Sequence, residues 1–247
     1  MAKQNGLGDN FYVGGYNFSG DVASLESIAI SRGVLPVTGI DKSAMERLHG
    51  LKDGGFDFTS FFNPAAAQAF PVLKTLPTTD VVCSYFRGTT IGNPACSCVA
   101  KQINYDGNRE DDGTFTFKAS VQGNGYGAEW GRMLTAGPRT DTTATSPATG
   151  VDTLASASFG AQAYLHVFAF TGTSVTVTLQ DSADNSTFAA IATPMAFAAA
   201  SAIGTQRITI PNTTTVRRYV RAITSGTFSN AVFAVNFVKN EEAGVVF

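Results

Sequence analysis

The fold is decided by one stretch of the sequence, Gly54-Gly55-Phe56-Asp57-Phe58-Thr59-Ser60-Phe61-Phe62-Asn63-Pro64. Its side chains alternate, so that Phe56, Phe58, Ser60 and Phe62 share one face of an extended chain. Burial of a phenylalanine is worth roughly 1.5–3 kcal/mol, and this face is therefore expected to pack into a core. Asp57 and Thr59 then point towards water. The stretch predicts a half-buried β-strand.

A short helix is predicted directly after this strand. Asn63 can cap it, and Pro64 suits the first helical position. Good helix formers continue to Phe70, and Pro71 must kink or end the helix. A weaker helical pattern covers Ala44–Leu51.

Alternation of period two predicts further strands along the whole chain. In the first half they are Phe11–Tyr16, Val81–Arg87, Ser97–Tyr105 and Thr114–Gln122. The last two flank an acidic loop and are predicted to form a β-hairpin, whereas Ala23–Gly50 is predicted as a long loop. In the second half the strands are Ala163–Thr171, Ser174–Gln180, Gln206–Ile210, Val216–Thr224 and Ala231–Lys239. Several short strands at this spacing are typical of a sandwich.

The segment Gly137–Gly150 is polar, contains proline and lacks apolar periodicity, so it is predicted to be a linker. The chain then divides into a domain of residues 1–150 and a second β-sandwich of residues 151–247, Ig-like or jelly-roll-like in type. The ends Met1–Asn10 and Asn240–Phe247 carry no pattern of their own. We expect them, together with the loop Ala23–Gly50, to be mobile in a free subunit and ordered in an assembly.

The composition excludes several classes of protein. Charged residues make up only 15% of the chain and the net charge is −2, so no basic footprint for gripping nucleic acid is present. The N-terminus lacks an apolar segment, and neither a signal peptide nor membrane insertion is expected. The three cysteines, Cys83, Cys96 and Cys98, are an odd set, which favours synthesis in a reducing cytosol.

No constellation of catalytic, cofactor-binding or metal-binding residues is predicted. The two histidines, His49 and His166, have no ligand partner at suitable spacing. The run Asp106-x-Asn108-x-Glu110 begins like a calcium loop, but Asp111 stands where that motif needs glycine and Phe117 where it needs glutamate. We therefore expect the chain not to be an enzyme.

Four segments carry a resemblance to a known family: Gly6–Val22, Gly54–Pro64 with the helix after it, Ala100–Asp106 and Val177–Phe188. The first three resemble the major tail tube proteins of long-tailed bacteriophages, particularly siphophages of actinobacterial hosts, and the fourth resembles a segment of phage tail proteins that carry an extra sandwich domain. The resemblance implies a barrel-forming β-sandwich with one short flanking helix, whose subunits form hexameric rings. It implies that the rings stack into a hollow virion tail tube, that DNA passes without specific binding, and that tape measure, tail terminator and baseplate proteins are partners. It also implies synthesis in the host cytoplasm.

The resemblance also implies which side chains face the channel. In this family the strand that leads into the helix belongs to the inner barrel, so Asp57 and Thr59 are the candidate lumen-facing residues. The hairpin 97–122 would complete that wall, and residues 151–247 would project outward as a decoration.

Two other classes of function compete with this one. A carbohydrate-binding module on a virion surface or in a secreted protein could use a strand face carrying Arg217, Tyr219 and Arg221, although a solvated strand face is favoured there. A hydrolase of cell-wall glycan needs paired carboxylates in a cleft, whereas the acidic residues here cluster in a loop tip.

Overall fold

The protein is almost entirely β-structure in a computed structural model that describes residues 5–243. The first half contains eight strands and a short helix: β1 (Asn10–Val13), β2 (Tyr16–Asn17), β3 (Val22–Pro36), β4 (Arg47–Phe61), α1 (Ala69–Leu73), β5 (Val81–Phe86), β6 (Pro94–Arg109), β7 (Phe115–Gly123) and β8 (Glu129–Met133). The second half contains β9 (Arg139–Asp141), β10 (Val151–Asp152), β11 (Ala161–Ser182), β12 (Ala189–Ala196), β13 (Gly204–Ile210) and β14 (Tyr219–Lys239). The predicted mainly-β fold with one short helix is confirmed.

The long strand β6 belongs to two layers of the first half. Its beginning pairs with β5 and β8, and β5 continues to β1 and β2. Its end pairs with β7, which continues to β4 and β3. The two layers enclose one core, in which the ring centroids of Phe11 and Phe56 lie 5.5 Å apart. The first half is therefore a sandwich whose layers share a strand.

The helix begins later than the sequence predicts. The carboxylate of Asp21 accepts hydrogen bonds from the Asn63 side chain, at 2.7 Å, and from the backbone N–H of Ala69, at 2.8 Å. A distant loop residue, and not Asn63, thus provides the cap. Pro71 lies in the first turn, where its missing N–H would have had no partner in the helix.

The segment Ala23–Gly50 is not a loop, and Ala44–Leu51 is not a helix. Most of these residues form a long hairpin of β3 and β4, with a connection only over residues 37–46. We call residues 30–51 of this hairpin the arm. Each of the predicted terminal segments, Met1–Asn10 and Asn240–Phe247, has four residues outside the described part of the chain, and their mobility stays a prediction.

The second half is built on the antiparallel pair of β11 and β14, each of which joins two predicted strands into one. Bulges interrupt the pair near Gly172, and both Gly172 and Gly226 have the positive φ that favours glycine. β12 and β13 pair with β11, and a single apolar core includes side chains from both ends of that strand.

The two halves are joined through β8, which pairs with β6 on one side and with β14 on the other. The predicted linker contributes β9, which also pairs with β14. Tyr12, Phe86, Met133 and Ala234 form a buried cluster across this joint. The division into two domains with separate roles stays a prediction.

A close backbone approach at the joint gives a first testable prediction. Gly15 has φ of +87°, and a Cβ there would lie 2.9 Å from the backbone nitrogen of Gly204 and 3.0 Å from the carbonyl oxygen of Val167. Gly15→Ala should lower the free energy of unfolding in urea by about 1–2 kcal/mol for the strained backbone and by roughly 1–3 kcal/mol more for the overlap.

Gly8 supplies the matched control, because its φ is +82° and no atom lies within 4 Å of the position that a Cβ would take there. Gly8→Ala should show the backbone cost alone. Equal losses in the two variants would mean that the approach of Gly15 to Gly204 does not constrain the joint.

Candidate functional site

The most distinctive surface is one face of the four-stranded sheet β3-β4-β7-β6. Residues that stand opposite each other in neighbouring strands share a face, so the pairing register defines rows across the sheet. Two rows on the exposed face consist only of polar residues: Ser24, Thr59, Lys118 and Asp106, and then Ser27, Asp57, Ser120 and Asn104. We call this surface the polar face.

The opposite face of the same sheet carries the core. Its rows are Leu25, Phe58, Ala119 and Tyr105, and then Ile28, Phe56, Val121 and Gln102. The buried amide of Gln102 donates to the carbonyl oxygen of Leu73 at the end of α1, 2.8 Å away. The sheet is thus apolar towards the sandwich and polar on its outer side.

Asp57 and Thr59 both lie on the polar face, as the alternation predicts. Asp57 is exposed, and the Thr59 hydroxyl donates to Glu26 Oε1 at 2.6 Å. The alternation also predicts Phe62 in the core, but this residue is 39% exposed, because β4 ends at Phe61 and Phe62 packs instead against Phe70 and Phe115. Whether the polar face lines a channel stays a prediction.

Sequence reasoning missed the contribution of β3 to the polar face. Register shifts occur in its pairing with β4 between Val22 and Ser24, between Leu25 and Ser27, and between Arg32 and Val34. Each shift moves the alternation by one residue, so the period-two signal disappears. Polar residues at Ser24, Glu26 and Ser27 were the only available signal.

Both edges of the four-stranded sheet are open. Among residues 5–243, β3 pairs only with β4, and residues 101–109 of β6 pair only with β7. Open edges leave backbone donors and acceptors ready to pair with another strand.

The arm extends this sheet and exposes an unusual number of large apolar side chains. They are Ile30, Val34, Leu35, Val37, Ile40, Met45, Leu48 and Leu51. At its root the arm is fixed to the body by an ion pair between Lys52 and Glu129. A two-stranded ribbon has no core of its own, so these side chains find burial only against another surface.

Of the second predicted face, Tyr219 and Arg221 are two residues apart in β14 and share one side of the strand, whereas Arg217 precedes β14 and is held by Asp181, on the opposite face from Gln180. The two arginines are engaged within the chain. Arg217 donates to both Asp181 Oδ1, at 2.8 Å from Nε, and the Asp181 carbonyl oxygen, at 2.7 Å. Arg221 donates to Gln180 Oε1, at 3.0 Å from Nε, and lies 4.1 Å from the centroid of the Phe188 ring. Carbohydrate binding there stays a prediction.

A buried chain of polar side chains links the two halves. His166 Nε2 lies 2.8 Å from Ser84 Oγ, which is 2.7 Å from Ser97 Oγ, and Asn236 Nδ2 donates to Ser97 at 2.8 Å. Burial lowers the pKa of His166 to about 3, so the imidazole is neutral at pH 7. Both His166 and Ser84 are fully buried, so we assign them a structural role in the joint.

Neither a metal cluster nor a membrane-spanning helix is found in the described part of the chain. Residues 5–243 hold no group of three or more His, Cys, Asp or Glu side chains placed to bind a metal ion. Across the same residues, no helix has the length and apolar character needed to cross a membrane.

Comparison with known proteins gives only distant likenesses. No protein-family model matches the sequence, and no curated protein matches it significantly. One similar solved structure is the Dit protein of phage SPP1, described as a paradigm of the hub adsorption apparatus in phages that infect Gram-positive bacteria. It shares 12% sequence identity with this chain, and the TM-score is 0.33. Two activated baseplate structures of phage p2, with Sr and with Ca, give 7% and 9% identity and TM-scores of 0.36 and 0.34. Each match covers 94% of this chain and 99% of the other. At TM-scores below 0.5 these likenesses transfer no function to this chain.

The neutral state of His166 predicts a pH-dependent stability. Its pKa is depressed in the folded protein, so between pH 6.5 and about 3 the unfolded chain binds a proton that the folded chain does not. Stability should therefore fall with falling pH in this window, by up to about 1.4 kcal/mol per pH unit from this group.

His166→Gln keeps an amide that can hydrogen-bond to Ser84 but does not titrate. Urea unfolding between pH 4.5 and 7.5 should show a shallower decline for this variant than for the wild type, by about one proton. Parallel curves for the two proteins would show that His166 is protonated equally in both states.

Proposed function

We propose that this chain is a structural subunit of a bacteriophage tail and that its copies associate edge to edge into rings, which stack into the tail tube. One observation carries the proposal: a four-stranded antiparallel sheet has two open edges, one polar face and one core face. The assignment to a phage tail is supported by the sequence segments that resemble tail tube proteins.

The strand directions allow such a ring to close. All neighbouring strands of β3-β4-β7-β6 are antiparallel, and the number of strands is even. When copies are related by rotation about a common axis, β6 of one copy lies antiparallel to β3 of the next. Closure into a barrel then removes every open edge of this sheet.

The dimensions suit a conduit. Six copies, the number that the resemblance implies, would supply a barrel of about 24 strands. At ~4.8 Å between strands its circumference would be roughly 115 Å and its diameter roughly 37 Å, and strand tilt would widen it. After the side chains on the inner wall have taken up part of this diameter, the channel is still wide enough for a DNA duplex.

The polar face would line this channel. The charges of its two rows are Asp57, Asp106 and Lys118, and Glu26 lies beside Thr59. A wall with a small excess of carboxylates does not hold phosphates, so DNA can pass without specific binding. The role proposed for this surface is passive and includes no catalytic step.

The arm would make the contacts between rings. Contacts between stacked rings are heterologous, so they propagate a filament instead of closing on themselves. The exposed apolar side chains of the arm supply the burial that such a contact needs. The second half would lie on the outside of the tube, and tape measure, tail terminator and baseplate proteins would be partners in the virion, as the resemblance implies.

Electron microscopy of the purified protein tests the proposal. Rings or tubes at high protein concentration are expected, because the open edges and the arm need no other partner. A protein that stays monomeric at all concentrations, with its strands intact by circular dichroism, would contradict the proposal.

The arm gives a specific prediction. Leu35 and Leu48 stand opposite each other across the hairpin and are both exposed, so Leu35→Ser with Leu48→Ser should change the stability of the monomer by less than about 0.5 kcal/mol. The same double variant should prevent stacking into tubes, as seen by sedimentation. The control is Ile203→Ser, which removes an exposed apolar side chain from the second half and should stack normally. Normal tubes from the double variant would exclude the arm from the interface.

The polar face gives another prediction. Asp57→Lys should leave tube formation intact but make the tubes retain double-stranded DNA, with an affinity that falls as salt rises. Thr209→Lys, at an exposed position in the second half, is the matched control and should leave the tubes without retained DNA. Equal DNA retention by the two variants, measured with a labelled duplex, would place Asp57 outside the channel.

A further inference from the structure

A groove opens beside the edge of β3 that is unpaired among residues 5–243. Its volume is about 400 Å³, its apolar lining includes Phe11, Val22, Leu25, Ile28 and Tyr85, and its polar lining includes Asp9, Asn10 and Ser19. These residues come from both layers of the sandwich, since Phe11 and Tyr85 belong to β1 and β5. We call this the β3 groove, and it is the mouth of the core on the side where β3 has no neighbour within residues 5–243.

Two exposed apolar side chains lie at the other edge of the same sheet. Ile103 is the extra residue of a bulge in β6 and is 51% exposed. Leu76 follows α1 and is 44% exposed. The turn that contains Leu76 is tied to β6, because Gln102 donates to the carbonyl oxygen of Leu73, 2.8 Å away, and Lys101 Nζ to that of Thr78, 2.5 Å away.

The backbone of Leu76 is strained as well as exposed. Its φ is +45°, a conformation that costs a non-glycine residue about 1–2 kcal/mol. The turn is held by the bond from Leu76 N–H to the carbonyl oxygen of Leu73 at 3.3 Å. Strain of this kind persists where the surrounding structure fixes it, and it is concentrated at functional sites.

We propose that Leu76 and Ile103 of one copy enter the β3 groove of the next copy around the ring. The inference rests on the proposed function, because edge-to-edge pairing is what brings β6 beside the β3 of a neighbour. It deepens that function by naming the side chains that fix one copy against the next.

The position of Leu76 supports this pairing. Gln102 belongs to the core face of the sheet and points to the end of α1, so the turn with Leu76 lies on the sandwich side of the β6 edge. The β3 groove lies on the sandwich side of the β3 edge. When a continuous sheet forms across two copies, the sandwich sides coincide, and the turn of one copy faces the groove of the other.

Substitutions test the proposal in the full chain. Leu76→Ser and Ile103→Ser should each raise the protein concentration needed for ring formation about tenfold, since each removes an apolar side chain from the interface. Both should leave the urea midpoint of the monomer close to that of the wild type. Leu154→Ser is the matched control, because Leu154 is 67% exposed in the second half and also has a positive φ.

A cross-link supplies an independent measurement. Ala23 is exposed and lines the β3 groove, so the double variant Ala23→Cys with Leu76→Cys should form disulfides between copies when assembled protein is oxidised. The native thiols of Cys83, Cys96 and Cys98 are buried, and burial raises the pKa of each, which keeps them out of the reaction. A ladder of linked subunits on a non-reducing gel is the expected result.

The outcomes separate this inference from the proposed function. If the wild type forms rings, but both serine variants do so equally well and no ladder appears, the groove contact is wrong and the ring stands. If the wild type forms no rings at any concentration, the proposed function fails and the groove contact fails with it.

Discussion

A strand at the edge of a sheet leaves half of its backbone donors and acceptors unpaired, and within residues 5–243 the sheet β3-β4-β7-β6 has two such edges. Other features of the first half are arranged around this constraint. The core rows anchor the sheet to the second layer, so only its edges and its polar face remain for contact with other molecules. The arm continues the edge strand β3 together with its partner β4, and the turn after α1 lies beside the other edge. In the proposed ring the two edges satisfy each other, and no separate edge-protecting device is needed.

The joint between the halves connects the second half to this sheet. The second half is held by β8 and β9, which pair with β14. It is also held by the buried series of hydrogen-bonded side chains that runs from His166 to Asn236. Two atoms of that series, His166 Nδ1 and Asn236 Oδ1, have no hydrogen-bond partner among the described residues. Buried polar groups without partners cost stability, so the joint relies on its apolar cluster and its shared strands. These contacts connect the second half to the sheet through shared strands and one buried apolar cluster.

The sequence predicted those elements whose signals are local. The alternation from Phe56 to Ser60 identified a strand with one buried face and placed Asp57 and Thr59 on the other, because strand geometry repeats every two residues. The same alternation could not identify β3, because bulges break its two-residue period. The start of α1 was also mispredicted, because its cap comes from Asp21, which is far away in the chain. Long strands such as β11 appeared as two, because Gly172 resembles a turn in sequence but forms a bulge. The groove beside β3 and the position of Leu76 depend on long-range packing, which no local pattern records.

The most direct measurement is a cryo-electron microscopy reconstruction of the assembled protein at a resolution that shows individual strands. It should show residues 101–109 of β6 hydrogen-bonded in antiparallel fashion to β3 of the neighbouring copy, with Asp57 and Thr59 on the channel wall. An assembly in which these two edges remain apart, or in which the polar face lies on the outer surface, would contradict edge-to-edge closure of this sheet.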